Sequence, residues 1–163
     1  MLVLGIDPGT AITGYGLVRE DHNGSLAMVA YGVIETQAAD TQAVRLLELY
    51  NKLSEIIVLH RPESSAVEKL FFQRNVRTAL SVGQARGVAL LALAQAGLAV
   101  FEYTPLEVKQ AVVGYGGADK NQVQQMVRAL LGLSEIPRPD DAADAIAVAI
   151  CHLHSARMKS LYT

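Results

Sequence analysis

Short apolar runs and helical repeats alternate along this chain, with turn signals between them. Leu2-Val-Leu-Gly-Ile is a continuous apolar run, which predicts a buried strand ending at the turn Asp7-Pro-Gly-Thr. Strands over 13–19 and 26–36 follow, joined by a hairpin turn at Asp21-His-Asn-Gly. The period then changes. Leu46, Leu47, Tyr50, Leu53, Ile56 and Ile57 recur at helical spacing, predicting a helix over 41–60 that ends near Pro62. Residues 64–70 read as a fourth strand with Glu68 near its end, 77–96 as a long apolar helix stopped at Gly97, and 98–103 as a fifth strand. Thr104-Pro-Leu-Glu107 has the hydroxyl, proline and glutamate of a capping box. Asp119 and Gln122 open another helix in the same way, after Gly114-Tyr-Gly-Gly. Pro139 confines the last helix to Asp140 onward. This order predicts an α/β protein: one domain over 1–157 with a mixed sheet and helices packed on its faces, then a short tail at 158–163.

Composition narrows the class. The 163 residues are 51% hydrophobic and 18% charged, enough for a packed core. A lone cysteine, Cys151, excludes a disulfide scaffold and points to a reducing cytoplasm. The N-terminus lacks the basic region of a signal peptide, and apolar runs such as Val88–Ala94 fall far short of the ~20 residues of a membrane span. The net charge of -2 excludes a globally basic nucleic-acid binder. It conceals a division, because 1–68 carry nine acids and four bases while 69–128 carry three acids and seven bases. A polyanion would be held by the middle third, unless those bases merely solvate helix faces.

Four acids suit a common site. Asp7 and Glu68 each stand near the end of a strand, and parallel neighbouring strands would bring both to one sheet edge, where open α/β folds bind ligands. Asp141 and Asp144 share a face at the start of the last helix. Singly, each has an ordinary explanation as a turn cap, a solvated strand residue or a complement to a helix dipole. Together, four carboxylates would repel and partly protonate unless cations neutralised them. Two Mg²⁺ or Mn²⁺ ions match an all-oxygen donor set and could activate water against a phosphodiester.

Gly5-Ile-Asp7-Pro-Gly-Thr with Thr13-Gly-Tyr-Gly, Val67-Glu68-Lys-Leu-Phe-Phe, Gly83-Gln-Ala-Arg-Gly87, Val108-Lys-Gln-Ala-Val-Val-Gly and Asp141-Ala-Ala-Asp144-Ala resemble, in order, the motifs of the bacterial RuvC family. The resemblance covers nearly the whole chain. It implies a ribonuclease H-like fold with a mixed five-stranded sheet and helices on both faces. It also implies a Holliday junction resolvase with Asp7, Glu68, Asp141 and Asp144 as catalytic metal ligands. A homodimer nicking two opposed strands, ligatable 5′-phosphate and 3′-hydroxyl ends, and a branch-migration motor of RuvA and RuvB type complete what the family implies.

Lys69, Phe71, Phe72, Arg74 and Arg77 cluster after the fourth strand as candidate DNA contacts. An exposed aromatic there could wedge between bases, and the family's aromatic falls on Phe71. Lys109 and Lys120, on either side of the glycine loop, match family bases and are candidate phosphate contacts. In the helix over 77–96, Gly83, Arg86, Gly87 and Leu90 form a stripe that suits a dimer contact, or alternatively packing on the chain's own sheet; Arg86 also suits an ion pair. Cys151, His152 and His154 resemble a soft-metal cluster but lack partners, and read as the end of a helix. Two other functions share parts of the pattern: an actin-like or sugar-kinase-type ATPase half-domain, and a non-catalytic junction-binding protein.

Overall fold

The computed structural model describes residues 1–69 and 76–161. Five strands, β1 (Leu2–Asp7), β2 (Ile12–Glu20), β3 (Leu26–Glu35), β4 (Ser64–Glu68) and β5 (Val100–Tyr103), form one sheet of order β3-β2-β1-β4-β5. The first three make an antiparallel meander, while β1, β4 and β5 run parallel. Helices α1 (Gln42–His60), α2 (Val76–Gln95), α3 (Pro105–Val113), α4 (Lys120–Leu130) and α5 (Asp140–Ser160) complete the order. This is the ribonuclease H-like mixed sheet the resemblance implies. Among the described residues, no helix is long and apolar enough to cross a membrane.

The continuous apolar run of β1 is explained by burial on both faces. Leu2, Leu4 and Ile6 pack with Leu49, Leu53, Ala85, Ala89 and Leu93 of α1 and α2. Val3 and Ala66 point the other way, toward Ile146, Ala149 and Ile150 of α5 and the residues of α3 and α4 beside it. Both predicted capping boxes are present, Thr104 with Glu107 and Asp119 with Gln122. Each satisfies two otherwise unpaired backbone N–H groups.

Three glycines let α5 lie against the sheet. A Cβ at Gly5 would stand 2.1 Å from the Ala145 carbonyl oxygen, one at Gly14 1.9 Å from that of Asp141, and one at Gly16 2.5 Å from Ile146 Cγ1. No side chain fits at any of the three. The helix answers with Ala142, Ala143, Ala145 and Ala149, all buried.

Two expectations change. The helix carrying Cys151, His152 and His154 continues to Ser160, so the histidines sit mid-helix rather than at its end, and residues 158–160 extend the helix beyond 157. His152 is buried, 3.0 Å from Ser64 Oγ and 2.8 Å from Tyr103 Oη, and stacks on Phe101. Burial holds its imidazole below the usual range, with Lys159 adding to the effect. His154 Nδ1 lies 2.9 Å from the Ala111 carbonyl. These contacts tie α5 to β4, β5 and α3.

The stripe on α2 does not pack on its own sheet through its glycines. Among the described residues a Cβ at Gly83 or Gly87 would meet nothing within 4 Å, and the sheet-facing residues are Ala85, Ala89, Ala92 and Leu93. Arg86 is ion-paired with Glu102 of β5, and Leu90 is half-buried against the core on that side.

Candidate active site

Alternation along β1 places Val3, Gly5 and Asp7 on the face toward α5, and along β4 it places Ala66 and Glu68 there. Ile6 pairs with Val67 across the parallel ladder, so Asp7 and Glu68 leave the same sheet edge as neighbours. The turn after Asp7 is pinned by Thr13, whose Oγ1 donates to the Gly9 carbonyl at 2.6 Å and accepts from the Gly9 N–H at 3.1 Å. Gly14, directly opposite Asp7 on β2, supports the Asp141 backbone. The first two turns of α5 thereby bring Asp141 and Asp144 to the same edge.

Electrostatics records that proximity. Burial, together with the charges of Glu68, Asp144 and Asp141, pushes the Asp7 carboxyl from 3.8 up to about 8. Glu68 is raised by burial and by Asp144, against the opposing pull of a hydrogen bond with Asp7 and the ammonium groups of Lys120 and Lys109. Burial likewise raises Asp144, although Lys120 pulls it down. A protonated aspartate near neutral pH is the cost of crowding acids where water is scarce.

A cleft of about 190 Å³ opens beside them, with Glu68, Asp144, Lys109 and Lys120 among its polar lining and Val108, Val123 and Ala147 among its apolar lining. Lys120 Nζ stands 3.3 Å from Asp144 Oδ2 and 3.4 Å from Asp140 Oδ2. Burial alone would lower Lys120, but Asp144 and Asp140 more than reverse it and raise it.

The donor set fits hard divalent cations: every candidate ligand is a carboxylate oxygen, and burial together with the neighbouring negative charge raises the Asp7 carboxyl. Among the described residues no three acidic, histidine or cysteine side chains are gathered closely enough to enclose an ion.

The structure therefore brings together the four acids, Lys109 and Lys120. Lys69, exposed, directly follows Glu68, and its N–H donates to the Tyr103 carbonyl at 2.7 Å. Arg77 is exposed on the first turn of α2. Phe71, Phe72 and Arg74 lie outside the described residues. Asp140 is the residue the sequence does not single out: there it reads only as a complement to the helix dipole, whereas in the fold it touches Lys120, Arg138 and Gln124. Cys151 stands apart, its Sγ 3.7 Å from the Glu107 carbonyl and its thiol pushed by burial up to about 12. It is inert as a nucleophile.

Comparison with known proteins agrees with this geometry. Residues 3–152 match the family model described as crossover junction endodeoxyribonuclease RuvC. The enzyme of that name from Chloroflexus aurantiacus is 63% identical over 156 residues, covering 96% of this chain and 94% of the relative. The Thermus thermophilus RuvC structure superposes with a TM-score of 0.91 at 40% identity, covering 98% of this chain and 97% of that one. T. thermophilus RuvC in complex with a Holliday junction substrate gives 0.89 at 37% identity, covering 97% and 96%.

Proposed function

Because the chain belongs to the RuvC family of crossover junction endodeoxyribonucleases, we propose that its acidic cleft nicks four-way DNA junctions with divalent cations held by Asp7, Glu68, Asp141 and Asp144. The enzyme is a Holliday junction resolvase, acting in recombination and repair. The ATPase half-domain and the non-catalytic binder give way to this reading. The observation that carries the metal assignment is the convergence of acids from β1, β4 and α5 at one sheet edge, with Asp7 pushed up to about 8.

Two cations per chain, Mg²⁺ with Mn²⁺ as a substitute, would balance four carboxylates. Bound there, they supply Lewis acidity to the phosphodiester and lower the pKa of water. The chain's own residues do the rest. Lys109 and Lys120, which line the cleft together with Glu68 and Asp144, hold and neutralise the phosphate. The apolar lining of Val108, Val123 and Ala147 limits water around the reacting centre. Asp7 would be one of the ligands, binding as the carboxylate after giving up its proton to water, and its burial beside Glu68 and Asp144 is what such a cation would compensate. The products are 5′-phosphate and 3′-hydroxyl ends. Lys69, Arg74 and Arg77 contact the arms, and Phe71 or Phe72 stacks on or wedges between bases.

Paired nicks in opposed strands need two sites related by a two-fold axis, so the active form is a homodimer. The open Gly83 and Gly87 face of α2, beside the exposed Leu80 and Leu91, is the contact it uses. The enzyme works in the cytoplasm with a branch-migration motor of RuvA and RuvB type.

A nicking assay tests this. A synthetic four-way junction should be cut only with Mg²⁺ or Mn²⁺, while a linear duplex and ATP are left intact. Near-normal cutting by Asp7→Asn, or cutting without divalent cations, would overturn it.

A further inference from the structure

Asp140 precedes Asp141 on α5 and is none of the four acids assigned to the cations, yet three side chains hold it in place. Its Oδ1 accepts from Gln124 Nε2 at 3.1 Å and from Arg138 Nη1 at 3.3 Å. Its Oδ2 lies 3.4 Å from Lys120 Nζ, and the same ammonium is 3.3 Å from Asp144 Oδ2. Lys120 is thus divided almost evenly between a carboxylate that belongs to the acidic centre and one that does not.

We propose that Asp140 is a positioning residue that draws Lys120 away from Asp144 and so keeps that carboxylate open to a divalent cation. The inference rests on the assignment of Asp144 as a metal ligand. An ammonium resting on Asp144 competes with a cation for the same oxygens, and like charges at such range repel. A second carboxylate at equal distance gives the ammonium somewhere to go with little movement and little change in its own Coulomb energy. Gln124, buried on α4, and Arg138 fix that landing place. Displaced to Asp140, Lys120 stays at the edge of the cleft, where a phosphate would meet it.

Calorimetric titration of Mg²⁺ into the full-length protein without DNA tests the idea with four proteins: wild type, Asp140→Asn, Lys120→Met and the double variant. Losing Asp140 leaves Lys120 on Asp144, so Asp140→Asn should weaken Mg²⁺ binding about two- to fivefold, the range expected of an exposed ion pair. Lys120→Met should tighten binding. In the Lys120→Met background, Asp140→Asn should then change the affinity little, because the competing ammonium is gone. An equal weakening in both backgrounds would overturn the proposal, since Asp140 would then act only through its own charge. Wild-type affinity in Asp140→Asn would overturn it as well. Asp7→Asn serves as a separate control: undiminished Mg²⁺ binding there would overturn the four-acid assignment, and this role of Asp140 with it.

Discussion

Replacing Asp7 with Asn should make the metal-free protein more stable while abolishing cleavage. In the unfolded chain this carboxyl ionises near 3.8, and in the folded chain near 8. Below about pH 4 both forms are protonated and folding carries no penalty from this group. As the pH rises, the unfolded chain releases a proton that the folded chain retains, so stability falls until about pH 8 and then levels off. At 1.36 kcal/mol per pH unit, the interval from 3.8 to 8 corresponds to at most about 6 kcal/mol. The repulsion is shared with Glu68, Asp144 and Asp141, so an effect of about 3 kcal/mol is a reasonable expectation for one substitution. For a chain of this size that is a rise of about 6–12 °C in Tm. Thermal melts followed by circular dichroism at pH 4.5 and pH 8, in EDTA, would measure it. Wild type should lose stability between the two pH values much more than Asp7→Asn, and Mg²⁺ should restore wild type more than the variant. An Asp7→Asn protein melting at or below wild type at pH 8 in EDTA would refute the claim that crowded, poorly solvated charge is the dominant feature of the site.

Gly14→Ala places a methyl 1.9 Å from the Asp141 carbonyl, so it should cost about 1–3 kcal/mol in thermal melts and reduce nicking by displacing the start of α5. At Gly87 an added Cβ meets nothing within 4 Å among the described residues, and Gly87→Leu removes a helix-interior glycine, so light scattering should find a folded monomer, stabilised by up to about 1 kcal/mol, that cannot make paired nicks; a folded dimer would exclude this face of α2 from the interface. Phe71→Ala should slow cleavage of fully paired junctions more than of junctions with unpaired bases at the crossover, because a wedge offsets an unstacking cost of roughly a few kcal/mol. Equal losses on both substrates would indicate a role in folding instead.

The elements were legible where local chemistry fixes them. The β1 run, the helical period of α1 and both capping boxes depend on residues within a few positions of each other, and all stand where the sequence predicts them. The meeting of Asp7 and Glu68 was legible only on the condition that β1 and β4 are parallel neighbours, which they are. Long-range partners were less accessible. Nothing near Arg86 specifies Glu102, and nothing near His152 specifies Ser64 and Tyr103, because those pairs exist only once the sheet has formed. Asp140 was read as a helix-dipole acid since its partners come from α4 and from the loop before α5. The close seating of α5 did leave a trace: alternate glycines at 14 and 16, paired with Asp7 and Gly5, opposite a helix rich in alanine.

That glycine floor sets the tolerance of the catalytic assembly. A gap filled by leucine or valine can widen or narrow as rotamers hop, so its width is a thermal average. Between Gly14 and the Asp141 carbonyl there is no side chain to hop, so the height of Asp141 over the strand beside Asp7 is set by two peptide backbones in contact. Volume changes elsewhere in the core can be absorbed by rearranging the α1–α2 layer without being transmitted to this spacing. The acids are thereby gauged against covalent geometry, the stiffest ruler a polypeptide has, and not against packing that each substitution would recalibrate.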